Sequence, residues 1–349
     1  METYSDACDF IQDHKVALAC IVTTACSLIA FKKFMAGGVC RSKAHMNGKT
    51  VLITGANTGI GKETARDLAH RGARVLLACR DVTKAERAAE DIRKSTENEN
   101  VVVYILDLAS LKSVRQCANE VLTKETRLDV LINNAGVMWT PNVKTADGFD
   151  MQFGTNHLGH FLFTNLLLDL VKKSTPSRII NVSSLAHIRG KINFDDLNSE
   201  KGFSTMKAYA QSKLANVLFT RELSKRLQGT NVTANSLHPG VVATELVRFI
   251  DNYVLPVRTF INLMYYGLVK HLNKTPVQGA QTTIYCAVDP GIENVSGKYF
   301  SNLERITTKN EWKETGFYIH VGCVHSECIH ERGWMEKPGT CAPEYSFRF

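Results

Sequence analysis

The sequence predicts an α/β protein whose parallel sheet carries helices on both faces. Three observations lead there. Short runs rich in Val, Ile and Leu alternate with stretches whose apolar residues recur at helical spacing, the rhythm that right-handed crossovers between parallel strands impose. The first apolar run, Thr50–Thr54, enters a glycine-rich turn that opens straight into a helix. The polar residues that stand out further on fall at the ends of successive strands, where ligands bind in sheets of this kind.

Taken in order, TVLIT is followed by Gly55-Ala56-Asn57-Thr58-Gly59-Ile60-Gly61 and a helix expected from Lys62 to His70. Glycines let the backbone approach a pyrophosphate, which then sits at a helix N-terminus. The GxxxGxG spacing keeps the logic of the dinucleotide fingerprint without its GxGxxG letter. The second strand, Ala73 to Cys79, ends at Arg80, where an NAD site places an acidic residue for the ribose hydroxyl. The planar fork of Arg80 and the ammonium of Lys62 suit a phosphate instead, which favours NADP over NAD. The alternative is a solvated Arg80 with Asp81 doing the selecting. A third strand, Val101 to Leu106, runs into Asp107-Leu108. A helix over Leu111 to Leu122 follows, then a strand over Val130 to Ile132 that ends in Asn133-Asn134-Ala135-Gly136.

The second half continues the alternation. A long helix is expected from Gly148 to Leu170, carrying Asn156. The strand Arg178 to Val182 runs into Ser183-Ser184. The strand Asn231 to Leu237 ends in His238-Pro239-Gly240-Val241-Val242-Ala243-Thr244. Between them, a helix over Met206 to Leu227 carries Tyr209-Ala210-Gln211-Ser212-Lys213. Tyr and Lys at this spacing share one helix face. An ammonium one turn away is expected to pull a phenol from its usual pKa of about 10 toward neutrality, so that it can give or take a proton. His157, His160 and His187 read as packing or polar-rim residues rather than catalytic ones.

Composition removes several function classes. The chain has 349 residues and a net charge of +8 spread without a polybasic run or aromatic–basic interleaving, which argues against nucleic-acid binding. Its 10 cysteines are scattered, several in apolar segments (Cys20, Cys26, Cys79, Cys117, Cys286), as reduced thiols in a cytosol-facing domain would be. The uncharged run from Val16 to Phe31 reads as a membrane-anchor helix. Acidic residues precede it and Lys32, Lys33, Arg41, Lys43 and Lys49 follow it, which puts the C-terminal part in the cytosol. A packed apolar helix is the competing reading. The Asn-x-Ser/Thr sites at Asn181 and Asn231 lie on expected core strands and read as fortuitous.

The order glycine turn, NNAG, strand-Ser-Ser, Tyr-xxx-Lys, Pro-Gly resembles the short-chain dehydrogenase/reductase family, over roughly Gly48 to Phe300. TGANTGIGKETA, LLACR, NNAGVM, TNHLGHFLF, NVSSLAH, YAQSKLANVLFT, LHPGVVATEL and TPVQGAQTTIYCA are similar to its membrane-bound retinol dehydrogenases. The resemblance implies a Rossmann-type doubly wound parallel sheet of about seven strands. It implies an N-terminal anchor over 1–47, a catalytic domain over 48–300 and an atypical tail over 301–349. It makes Tyr209 the acid/base and gives Lys213 the ribose and the task of lowering the Tyr209 pKa. Asn156 supports a proton-relay water, and Ser184, with Ser183 as fallback, takes the serine role. Gly55, Asn57, Thr58, Gly59, Ile60, Gly61 and Lys62 cradle the phosphates. Arg80, Asp107 and Leu108 meet the adenosine side. Asn134, Ala135 and Gly136 border the adenosine ribose and the nicotinamide side, and Pro239, Gly240, Val242 and Thr244 border the nicotinamide and its phosphate. No metal is required.

The implied reaction is NADPH-dependent interconversion of retinal and retinol, or of a similar lipophilic aldehyde and alcohol, with a steroid or other lipid-carbonyl reductase as the runner-up. A lid over 245–275 is rich in apolar residues such as Phe249, Tyr253, Phe260, Met264 and Tyr265, which suits a water-insoluble substrate, the bilayer surface or the face of a homo-oligomer. The implied location is the endoplasmic reticulum membrane, the mitochondrial membrane second. After Phe300 the resemblance stops, and His320, Cys323, His325, Cys328, His330 and Cys341 match no standard zinc spacing. That tail leaves open a non-enzyme alternative, a catalytically impaired protein that binds NADPH and lipid.

Overall fold

The computed structural model describes residues 29–242 and 273–306, together with Lys15, Ala19, Cys20, Val22, Thr23, Thr24, Cys26 and Ser27. Thr244, residues 245–272 of the expected lid and the tail from 307 onward lie outside the described residues. The described elements are β1 (Thr50–Thr54), α1 (Gly59–His70), β2 (Arg74–Cys79), α2 (Val82–Thr96), β3 (Val101–Ile105), α3 (Leu111–Lys124) and β4 (Val130–Asn133). There follow α4 (Met151–Phe153), a π-helical segment (Gly154–Leu158), α5 (Gly159–Lys173), β5 (Ser177–Val182), α6 (Thr205–Arg226), β6 (Val232–His238), α7 (Pro276–Val288), β7 (Tyr299–Ser301) and β8 (Glu304–Arg305).

The sheet order is β3-β2-β1-β4-β5-β6-β7-β8. Every neighbouring pair is parallel except β7–β8. The order reverses between β1 and β4, which opens a crevice beyond the strand C-termini. Every residue of β1 and β4 is buried, as central parallel strands covered on both faces require. Val51, Ile53, Val75, Leu77, Ile132 and Ile180 pack with residues of α1, α2 and α7 in one core. By the alternation of a strand, the equally buried Leu52, Leu76, Leu131 and Ile179 face the opposite layer.

The sheet departs from the expected seven strands by an eighth, antiparallel one. Asn302 and Leu303 both have positive φ (49° and 69°), the backbone of a two-residue hairpin turn that lets Glu304 pair with Ser301. Leu is not a residue that advertises such a turn, so the hairpin has little sequence signal. The single long helix expected around Asn156 is interrupted: Asp150 caps α4 by accepting from the Gln152 and Phe153 amides, and the chain then widens through the π-helical segment before α5.

At the N-terminus the described residues between Lys15 and Ala36 are helical, and those up to Phe34 are exposed. Among the described residues no helix is long and apolar enough to cross a membrane. Beyond Ala36 the chain lies along the body. The Cys40 amide donates to Gln281 Oε1 (2.9 Å), Arg71 donates to the carbonyls of Ser42 (2.7 Å) and Ala44 (3.0 Å), and the Met46 amide donates to the Arg71 carbonyl (2.8 Å). The compact unit extends to Ile306.

Candidate active site

The glycine turn is shaped by two demands. Gly55 and Gly59 adopt positive φ (66° and 58°), which L side chains rarely tolerate. Gly61 has no room for a Cβ, which would collide with the Gly55 carbonyl oxygen and lie 2.6 Å from Asn134 Nδ2. The helix begins at Gly59, earlier than the Lys62 expected, so Gly61 lies inside the first turn. Thr58 makes no side-chain cap on α1, whereas Asp81, Ser110 and Thr275 cap α2, α3 and α7. The first amides of α1 are thus left without a side-chain cap at a glycine cradle, a donor set that fits a pyrophosphate. The turn is braced from β4: Asn134 Nδ2 donates to the Thr54 carbonyl (2.9 Å), and the Asn134 and Ala135 amides both donate to Thr54 Oγ1 (2.9 Å each).

Of the cations expected near the nucleotide, Arg80 is exposed just past β2. Lys62 lies 2.7 Å from Asp91, a carboxylate it shares with Arg66, and these two cations hold the Asp91 carboxyl down at about 2. Asp81 caps α2 through the Lys84 amide (3.0 Å). Asp107 turns its carboxylate back onto the Ala109 amide (3.0 Å), and Leu108 is buried with its carbonyl against Gly159.

Ser184 and Tyr209 come together: the serine hydroxyl is near enough to the phenol to pull its pKa down. Ser183 points elsewhere, donating to the Lys213 carbonyl (2.7 Å). The Lys213 ammonium lies 5.8 Å from the centre of the Tyr209 ring and donates to the Val182 carbonyl (3.1 Å). Both side chains are buried. Burial pushes the Tyr209 phenol up to about 12, with the Ser184 hydroxyl pulling it the other way, and lowers Lys213 to about 8. This reverses the downward shift expected from the Tyr-xxx-Lys spacing. Desolvation of the buried phenol is the largest cause, and the Ser184 hydroxyl opposes it only in part.

Asn156 lies in the π-helical segment and is fully buried. Its Oδ1 accepts from the Val137 amide (2.8 Å), and its Nδ2 donates to the Val137 carbonyl and to Ser212 Oγ (3.0 Å each). Its main-chain carbonyl accepts from Asn216 Nδ2 and His160 Nδ1 (3.1 Å each). A carbonyl only accepts, so His160 carries its proton on Nδ1, and its Nε2 accepts from the Thr54 hydroxyl (2.8 Å). Thr54 thereby uses its one proton and receives two amides, and one continuous chain of hydrogen bonds joins the glycine turn to Asn156. His157 pairs with Asn216 Oδ1 (3.1 Å). Burial lowers His157 to about 4 and His160 to about 3, so both are neutral at physiological pH. Thr54, Ser212 and Asn216 were not singled out from sequence, and His160 was read there as a packing or polar-rim residue. The signal was present: His160 is one turn beyond Asn156, and Asn216 is one turn beyond Lys213.

The Pro-Gly turn closes the other side. Gly240 has φ 89°, and its amide donates to His238 Nδ1 (3.0 Å), which leaves His238 Nε2 to donate to Ser301 Oγ (2.7 Å). A Cβ on Gly279 would lie 2.7 Å from Val242 and 3.2 Å from Ile60, so this glycine lets the Pro-Gly strand and the glycine turn meet over α7. Tyr299 joins the wall beside Ser184: its hydroxyl is 3.2 Å from His187 Nδ1, which also contacts the Ser184 carbonyl (2.6 Å).

Residues 49–253 match the short chain dehydrogenase family. The chain belongs to this family and is an oxidoreductase of that class. Within it the chain is similar to retinol dehydrogenases. It is 56% identical over 276 residues to human retinol dehydrogenase 12, covering 79% of this chain and 84% of that protein. It is 54% identical over 289 residues to human retinol dehydrogenase 13, covering 82% and 86%. A solved structure described as the Pseudomonas aeruginosa RhlG/NADP active-site complex superposes with a TM-score of 0.58 at 25% identity, covering 73% of this chain and 95% of that one.

Proposed function

We propose that this chain is an NADP(H)-dependent oxidoreductase that interconverts retinal and retinol, or a similarly lipophilic aldehyde and alcohol, mainly in the direction of reduction. The observation that carries this reading is the grouping of Ser184, Tyr209, Lys213 and Asn156 beside a glycine cradle, in a chain more than half identical to human retinol dehydrogenases 12 and 13. The backbone of Gly55–Gly61 and the uncapped start of α1 hold the pyrophosphate, and Arg80 takes the ribose phosphate. Asp107 and Leu108 meet adenosine. Asn134, Ala135, Gly136, Pro239, Gly240, Val242 and Thr244 border the nicotinamide. NADPH, when bound, supplies the hydride. Ser184 and Tyr209 donate hydrogen bonds to the substrate oxygen as negative charge develops on it, and Tyr209 then gives up its proton. A phenol with a pKa of about 12 is protonated at neutral pH, which is the acid form that reduction needs. Lys213, one turn away, stabilises the phenolate left behind.

The membrane part of the reading is supported by the exposed apolar residues Val22, Ile29, Phe31 and Phe34 ahead of the body. The endoplasmic reticulum, with the catalytic unit in the cytosol, is the proposed site. The test is reduction of all-trans-retinal by membranes carrying the protein, with NADPH compared against NADH. Faster turnover with NADPH is expected. Equal rates would refute the role given to Arg80, and NADPH binding without turnover of any aldehyde or ketone would refute the enzymatic reading.

A further inference from the structure

Lys274 immediately precedes the cap of α7 and is only 4% exposed. Its side chain lies against Gly240: a Cβ built there would stand 2.9 Å from both Lys274 Cδ and Cε. Its ammonium ends at Gly37, where a Cβ would stand 2.6 Å from Nζ. Gly37 and Gly240 both hold positive φ (73° and 89°), so neither place accepts another residue without strain. The ammonium donates to Asn302 Oδ1 at 2.6 Å. The Lys274 amide donates to the Val241 carbonyl (3.0 Å), and its backbone bridges Val242. One residue therefore joins the exit of the N-terminal helix, the Pro-Gly turn and the turn between β7 and β8. Among the described residues no carboxylate pairs with it, so a buried ammonium is kept here against its desolvation cost with only a neutral amide as partner. The neighbouring chain is tied down as well: a Cβ on Gly38 would stand 2.5 Å from Leu303 Cδ1, and Cys40 is bonded to Gln281 on α7.

We propose that Lys274 is a positioning residue that fastens the exit of the N-terminal helix to the Pro-Gly turn, so that residues 37–46 form part of the nucleotide-side wall instead of a free tether. The inference rests on the reading above in one respect, that the Pro-Gly turn borders the nicotinamide. Its consequence is that nucleotide affinity depends on a contact made at Gly37 and Asn302, neither of which is assigned to the nucleotide.

The test is a fluorescence titration of the full-length protein with NADPH, with Tm recorded alongside. Lys274→Met keeps the length of the side chain and removes its hydrogen bond; Asn302→Leu removes the other half. Each is expected to weaken NADPH binding about tenfold, and the double variant no further, because both delete one interaction. KM for NADPH should rise while kcat stays as in the wild type. Asn302→Asp supplies a counter-charge and should keep wild-type affinity. An unchanged NADPH Kd in folded Lys274→Met overturns the proposal. Should that variant fail to fold, Gly37→Ala decides: a weakened Kd supports the proposal and an unchanged one overturns it. Wild-type protein that binds no NADPH would instead sink the underlying functional reading.

Discussion

Burial pushes the Tyr209 phenol up to about 12, so it holds its proton across the physiological range, and the acid role proposed for it starts from the protonated form. Ser184 is the hydroxyl beside it, because Ser183 is spent on the Lys213 carbonyl. Tyr209→Phe removes the proton donor and leaves the glycine cradle untouched. It should cost about 10³-fold in kcat/KM for retinal with NADPH affinity retained, measured by steady-state rates and fluorescence titration. His157 and His160 make a separate statement about pH. Burial depresses them to about 4 and about 3, below an unfolded value near 6.5, so the unfolded chain binds more protons between those limits. Stability is therefore complete above about pH 6.5 and is lost as pH falls toward 4. Each histidine contributes a slope of up to about 1.4 kcal/mol per pH unit inside that window. Denaturant titrations at pH 7 and pH 5 should show this loss, and replacing His160 by Asn should shrink it.

Among the elements, the π-helical segment has the clearest task. Its widened turn leaves the Asn156 carbonyl to Asn216 and His160, and so connects α6 to the glycine turn through Thr54. Functional sites often exploit such interruptions of a regular helix. The start of α1 is the second such place. Gly61→Ala would drive a methyl group into the Gly55 carbonyl and Asn134, which hold the turn to β4. Overpacking of this kind costs about 1–3 kcal/mol. Gly61→Ala should therefore lower Tm and abolish measurable NADPH binding, whereas Gly202→Ala, whose Cβ would meet nothing within 4 Å, should change neither.

For the whole molecule, every described residue assigned to the nucleotide and to proton transfer lies in the compact unit that ends at Ile306. A chain ending at Ile306 keeps the β7–β8 hairpin and Asn302. It should bind NADPH within about twofold of the full-length protein, a change of under 1 kcal/mol. A fluorescence titration of the two chains checks this, and retinal turnover by the same pair reports whether the tail adds anything to the substrate side. A cut at Phe300, where the family resemblance stops in sequence, would instead remove β8 and Asn302.

The succession of parallel strands, the glycine turn and the shared helix face of Tyr209 and Lys213 were legible because each is local, whereas Ser184 and Asn156 were assigned only through the family resemblance. A strand declares itself by composition, a glycine by the φ it permits, and a pair on one helix face by spacing. What needed the folded chain was everything set by burial or by contact across elements. The direction of the Tyr209 shift depends on how much water the fold removes, which spacing does not encode. Lys62, expected at a phosphate, is paired with Asp91 from the next helix. The Thr54–His160–Asn156 chain draws on β1, α5 and the π-helical segment. Lys274 acquires its place only when Gly37, Gly240 and Asn302, far apart in sequence, close around it. Sequence periodicity determined which elements form and which polar groups stand at the strand ends. The tertiary structure decided which groups share a site and in what protonation state, because desolvation and long-range hydrogen bonds exist only after the elements have packed.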